Sequence, residues 1–223
     1  MKLIDDALRR GAGSLSEYES KLLLAKYHIP ITREAVVTTA KDAVATAAKI
    51  GYPVVLKGSG EAISHKTELN LIALNLAGEK DVRQAFKELT SNSQAEVKEI
   101  LVQQMVKGDR ELMIGLTRDA QFGPCVMFGL GGIFTEILED VAFRVAPLTR
   151  WDAMEMMDEI KGKKILNAFR GKPALDRESL ADILLAVGQI GLDHEQVHEI
   201  DINPLKFIGG KPVAVDALVV LGK

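Results

Sequence analysis

The sequence predicts an α+β protein, with α/β character in its first half, and three observations carry that expectation. Strand-like and helix-like patterns alternate between residues 31 and 90, and a run of short apolar strands at near-regular spacing follows from residue 100. The chain then closes with a ribbon, His198-Glu199-Ile200-Asp201-Ile202-Asn203-Pro204, Leu205 to Ile208, Gly209-Gly210, and Lys211-Pro212-Val213-Ala214-Val215-Asp216. Apolar and polar residues alternate on both sides of the Gly-Gly, the pattern of a β-hairpin with a two-residue turn.

Taken in order, residues 3 to 10 fit a short helix ending near Gly11 or Gly13. Ser16-Glu17-Tyr18-Glu19 is a capping box opening a helix that must stop before Pro30. Ile31 to Val37 reads as a strand, and Thr39-Ala40-Lys41-Asp42 starts an alanine-rich helix with Gly51 as its left-handed cap. Pro53 to Leu56 is a short buried strand delivering Lys57 to the flexible Gly58-Ser59-Gly60. A polar loop over 61–70, a strand over Leu71 to Leu76 and a helix from Glu79 to about Leu89 follow. Ser91-Asn92-Ser93-Gln94 is the clearest break in composition and marks a boundary, giving subdomains of residues 1–97 and 98–223.

In the second subdomain, strands are expected from Ile100 to Val106, Glu111 to Thr117 and Pro124 to Phe128, in a mainly antiparallel sheet. Gly129-Leu130-Gly131-Gly132 interrupts that pattern. Thr149-Arg150-Trp151-Asp152 resembles another capping box and opens a methionine-rich helix, which is core filling. Further helices are expected over 164–169 and 178–190, the latter ended by Gly191.

Composition narrows the function. A formal charge of −3 without a long basic run argues against nucleic acid and membrane surfaces as partners. No apolar run approaches the roughly 18 residues of a membrane helix, and acidic residues stand where a signal peptide has its apolar core. The single cysteine, Cys125, excludes an internal disulfide framework and a cysteine-cluster metal site, and reads as a small buried hydrophobe in a strand. Together these features indicate the cytoplasm.

If Gly209-Gly210 is the turn, Asn203 lies opposite Asp216, and Asp201 shares a face with Asn203 two residues away. Two carboxylates and an amide carbonyl are hard oxygen ligands suited to Mg²⁺ held together with phosphates. A plain solvated hairpin has the same polar pattern, and a bulge at Pro204 or Pro212 would slip the register and turn Asp216 to the other face. Lys57 before glycines could meet phosphate oxygens, or simply terminate a strand. His65, in a polar loop, is a surface histidine or a phosphoryl acceptor. Glu111 fits the polar face of a strand, and Arg144 and Arg170 are generic phosphate clamps. Neither glycine cluster completes a Walker loop or a dinucleotide fingerprint. A lysine, glycines and Mg²⁺-type ligands spread over two subdomains form the inventory for ATP used as a phosphoryl donor.

A resemblance sharpens this reading. Gln121-Phe122-Gly123-Pro124, Val126 to Phe134, Phe143-Arg144-Val145-Ala146-Pro147-Leu148, Arg170-Gly171-Lys172-Pro173, Asp201 to Leu205 and Ala214-Val215-Asp216-Ala217 are the most specific matches. Through them the chain from Leu15 to Leu221 resembles the β subunit of ADP-forming acyl-CoA synthetases, a branch of the ATP-grasp superfamily related to succinyl-CoA synthetase. The resemblance implies an ATP-grasp fold with nucleotide held between two subdomains, and Mg²⁺ with ATP or ADP as cofactor. It puts Asn203 and Asp216 at the metal with Asp201 beside them, Lys57 and Gly58 at phosphates, and Glu111 facing the nucleotide. The backbone of Gln104, Met105 and Val106 would meet the adenine.

His65, in Ser-His-Lys-Thr, matches the family's phosphate-carrying histidine. The implied net reaction is acyl-CoA + ADP + phosphate ⇌ acid + CoA + ATP, completed with a CoA-binding α subunit that nothing here resembles. One departure stands out: the family follows this histidine with an acidic residue, a small apolar residue and Gly-Gly, whereas this chain has Glu68-Leu69-Asn70-Leu71. Losing both glycines removes conformational freedom from the loop. A nucleotide-binding or regulatory module without phosphotransfer, and an ATP-grasp carboxylate ligase of another specificity, are the alternatives.

Overall fold

The computed structural model describes residues 1–59, 71–91, 97–132 and 140–222. Two compact units emerge: Thr32–Met105, and Met1–Ile31 with Val106–Lys223. This differs from the expected division at 97/98 in two ways. The leading helices α1 (Lys2–Arg9) and α2 (Glu17–Lys26) belong with the C-terminal part, and the crossing point is at 105/106. Backbone pairing gives the reason, because the strand following the composition break hydrogen-bonds back into the first sheet rather than starting the second.

The smaller unit is built on β1 (Glu34–Val37), α3 (Ala40–Ile50), β2 (Val54–Ser59), β3 (Ile72–Leu76), α4 (Glu79–Thr90) and β4 (Glu99–Gln104). Its sheet has the order β1-β4-β2-β3, antiparallel throughout. Thr39 caps α3 by accepting a hydrogen bond from the Asp42 N–H at 3.1 Å. At its other end Gly51 has a positive φ of 94° but an extended ψ of 134°, so it turns the chain directly toward β2 rather than forming the left-handed cap expected. Ala43 and Ala47 of α3, Val82, Ala85 and Leu89 of α4, and Val54, Leu56, Ile100 and Val102 of the sheet make a separate core.

The larger unit has a six-stranded sheet made of β5 (Leu112–Asp119), β6 (Gly123–Leu130), β7 (Val141–Val145), β8 (Val197–Ile208), β9 (Lys211–Ala214) and β10 (Leu218–Leu221). Its order is β10-β8-β5-β6-β7, and β9 continues along β8 beside β10. β7 was not anticipated from the sequence, where Val141–Val145 is short and carries a charged residue, Arg144, next to its last position. Two helices, α5 (Arg150–Glu159) and α6 (Arg177–Asp193), cover one face, and a 3₁₀ turn over Lys163–Leu166 replaces the helix expected at 164–169. Thr149 closes the predicted capping box with Asp152, and Met156 and Met157 are fully buried, as core filling requires.

Gly191 does not end α6, which continues to Asp193. A Cβ there would lie 2.5 Å from Leu116 Cδ1 and 2.7 Å from Pro124 Cβ, so the glycine lets the helix press against β5 and β6. Cys125 in β6 is half-buried rather than fully buried. Among the described residues, no helix is long and apolar enough to cross a membrane.

Candidate functional site

The terminal ribbon turns at Gly209-Gly210, both with positive φ (60° and 87°), the backbone that favours glycine at a two-residue hairpin turn. Ile208 pairs with Lys211, Phe207 with Pro212, Lys206 with Val213 and Leu205 with Ala214, the register the sequence predicted. The Val215 N–H donates to Pro204 O at 3.1 Å. Beyond the break at 215–217, Asp201 pairs with Leu218 at the same spacing around the turn. Asn203 and Asp216 are thus bracketed on both sides by one continuous register. A bulge at Pro204 does exist, but toward the other neighbour: Ile202 pairs with Ile114 and Leu205 with Leu112, so Asn203 and Pro204 together oppose Met113. It leaves the pairing across the turn intact.

The core side of β8 carries Ile200, Ile202 and Leu205, all buried, while Asp201 is exposed and Asn203 half-buried. The registers align Phe143, Met127, Gly115, Asp201 and Leu218 as one row across five strands, on the face opposite the helices. This face is apolar toward β7, where Phe143 and Val145 are exposed, and acidic toward the ribbon. Crowding on it removes part of the hydration of Asp201, and the like charges of Asp216 and then Glu199 add to that effect. Its carboxyl is pushed up to about 6.

That donor set fits Mg²⁺. Among the described residues no three His, Cys, Asp or Glu side chains group to hold a metal unaided. Two carboxylates and one amide are an incomplete shell, which suits a cation that keeps waters and takes phosphate oxygens. The like charges of Asp201, Asp216 and Glu199, which add to desolvation in raising Asp201, are what a divalent cation would neutralise.

Glu111 immediately precedes β5, and its carboxylate accepts from Lys206 Nζ at 2.9 Å. The same ammonium reaches Gly108 O at 3.3 Å, and Gly131 N–H donates to Glu111 O at 2.9 Å. Lys206 therefore tethers the segment following Val106, a role that sequence reasoning missed. Its signal was its phase, polar and outward after the bulge. Arg144, proposed as a phosphate clamp, is instead bound to Glu155 and Glu159 of α5, and Arg170 lies with its guanidinium carbon 5.1 Å from the Phe169 ring centroid.

In the smaller unit, Lys57 is 5 % exposed and sits within β2, not at its end; Gly58 and Ser59 continue the strand opposite Ile100 and Glu99. The expectation of a flexible glycine segment starting at 58 is corrected by that pairing. The end of β4 is anchored by Gln104 N–H to Arg33 O at 2.8 Å and Met105 N–H to Pro53 O at 3.3 Å, and Val106 is buried. Gln104 Oε1 also accepts from Arg33. Thus Lys57, Gly58, Gln104 and Met105 lie in one unit, and Val106, Glu111, Asp201, Asn203 and Asp216 in the other. His65 lies outside the described residues.

Comparison with known proteins follows the same lines. Residues 6–221 match the model of the ATP-grasp domain family. The chain is 41% identical over 212 residues to the acetate–CoA ligase [ADP-forming] I subunit beta of Pyrococcus furiosus, covering 93% of this chain and 91% of that one. It is 40% identical to acetate–CoA ligase [ADP-forming] I of Archaeoglobus fulgidus, of which it spans 33%. A solved structure of the dinucleotide-forming acetyl-coenzyme A synthetase 1 of Ca. Korarchaeum cryptofilum superposes with a TM-score of 0.89 at 41% identity, covering 99% of both chains. That structure contains coenzyme A and Mg-AMPPCP, with its phosphohistidine segment pointing towards the nucleotide binding site. With its two antiparallel sheets, its acidic ribbon and these relatives, the chain belongs to the ATP-grasp domain family, in the group of ADP-forming acetate–CoA ligase β subunits.

Proposed function

We propose that the chain is the nucleotide-binding subunit of an ADP-forming acyl-CoA synthetase, working with a CoA-binding α subunit that completes the reaction. The observation that carries this reading is the continuous register on either side of Asn203 and Asp216, with Asp201 on the same open face. Asp216 and Asn203 would hold Mg²⁺ with Asp201 beside them. When bound, the ion neutralises phosphate charge and orients the terminal phosphoryl group. Lys57 and Gly58 serve the phosphates, the backbone from Gln104 to Val106 meets the adenine, and Glu111, held by Lys206, faces the nucleotide. His65 accepts the phosphoryl group on a ring nitrogen as ADP leaves, and passes it to the partner's acyl site.

The test is to incubate the full chain with γ-labelled ATP and Mg²⁺, alone and with an α subunit from a related synthetase. Acid-labile label that disappears in His65→Ala supports the reading. A second reading, a nucleotide-binding module without phosphotransfer, is favoured by Leu71. It stands where the family has the second glycine of its Gly-Gly, is fully buried, and accepts a hydrogen bond from Gly58 N–H at 2.8 Å. ATP binding without label on His65 in either incubation would select that second reading.

A further inference from the structure

The geometry points to Lys21, with Glu17, as a positioning residue for the metal ligand Asp216, a role that rests on the proposed metal reading. Lys21 is completely buried, and Glu17 one turn earlier on α2 is nearly so. The two pair at 2.9 Å, and Lys21 Nζ also donates to Val215 O at 3.1 Å. Val215 immediately precedes Asp216. Its N–H is already committed to Pro204 O, so the peptide groups on both sides of the Val215 Cα are held, one by β8 and one by α2.

The surroundings make this contact more than incidental. Asp216 lies in the 215–217 break between β9 and β10, outside both strands, with Val215 N–H bonded across to β8. The N-terminal segment adds hydrogen bonds to the strands on either side of that break. Pro30 O accepts from Ala214 N–H at 2.8 Å, Ser20 Oγ accepts from Val219 N–H at 3.1 Å, Leu15 N–H donates to Val219 O at 2.9 Å, and Gly13 O accepts from Leu221 N–H at 2.8 Å. Lys21 acts at the centre of this series, beside the break. A buried ion pair is a poor choice for stability alone, since apolar residues of similar volume at such sites are commonly neutral or better. What the ammonium provides that an apolar side chain cannot is a donor for the carbonyl next to Asp216. Groups that orient a metal ligand typically alter metal affinity by about 10–100-fold when removed.

The test uses the full chain. ATP affinity is measured by calorimetry at stepped Mg²⁺ concentrations for wild type, Glu17→Gln/Lys21→Met and Asp216→Asn, alongside thermal melting and amide exchange of the 214–219 segment in metal-free protein. The double change removes both buried charges together, so neither is left unpaired. The expected result is a double variant that melts cooperatively, exchanges faster over 214–219, and needs about 10-fold more Mg²⁺ for half-maximal ATP affinity. Its metal-free ATP affinity should be unchanged. If that variant does not fold, Glu17→Leu/Lys21→Leu, which likewise removes both charges and the donor to Val215 O, is read in the same way. If Asp216→Asn raises the Mg²⁺ requirement and the folded double variant does not, the positioning role is overturned while the metal reading stands. If Asp216→Asn changes nothing, both are overturned.

Discussion

Glu19 illustrates how one side chain joins local structure to stability. Burial alone would raise its carboxyl, but hydrogen bonds from the Ser16 N–H and hydroxyl, and then Arg10, outweigh that and hold it below the ordinary glutamate value. A carboxylate depressed in the folded state contributes stability above its unfolded pKa, and that contribution is lost as pH falls through the folded value. Glu19→Gln should therefore be less stable than wild type at neutral pH by about 0.5–1 kcal/mol. The gap should close as pH falls below the ordinary glutamate range, read as urea midpoints across a pH series. An unchanging gap would mean that the box acts by geometry rather than charge. Other individual roles were only partly legible. The Lys206 contact with Glu111 joins residues far apart in sequence and depends on the bulge at Asn203-Pro204, which hydrophobic alternation does not display. Lys57 had a legible strand but an illegible end, because Gly58 and Ser59 gain pairing partners from β4 that local propensity cannot supply.

At the level of elements, the capping boxes and the hairpin were readable because each is decided within a few residues: Ser16 with Glu19, Thr149 with Asp152, and Gly209-Gly210 between alternating runs. The end of α6 was not, since Gly191 looks locally like a stop and is in fact a contact point between helix and sheet. Gly191→Ala makes the competing effects measurable. Alanine improves helix propensity by up to about 1 kcal/mol, whereas forcing a methyl between Leu116 and the rigid Pro124 ring costs about 1–3 kcal/mol. Overpacking should win. A net loss of about 1 kcal/mol is expected in denaturant unfolding, and a gain would show that the helix shifts freely on the sheet.

For the whole molecule, the discontinuous unit makes a sharp prediction. Leu15, Leu23 and Leu24 from the first 31 residues are buried in the same core as Ile114, Phe128, Val187 and Val219. Residues 106–223 expressed alone should lack a cooperative melt and recover one when a peptide of residues 1–31 is added. A cooperative melt without the peptide would show that the leading helices are dispensable. By contrast, Thr32–Met105 is contiguous and has its own apolar core. The sequence by itself determined the α+β class, the capped helices, the terminal turn with its register, and the candidate ligands Asp201, Asn203 and Asp216, because periodicity and turn chemistry act over short stretches. Only the tertiary structure decided that β4 returns to the first sheet, that α1 and α2 join the second unit, and that Lys21 lies beneath Val215. Those choices depend on which apolar faces and backbone groups find partners across long separations, and nothing in a local pattern states who the partner is.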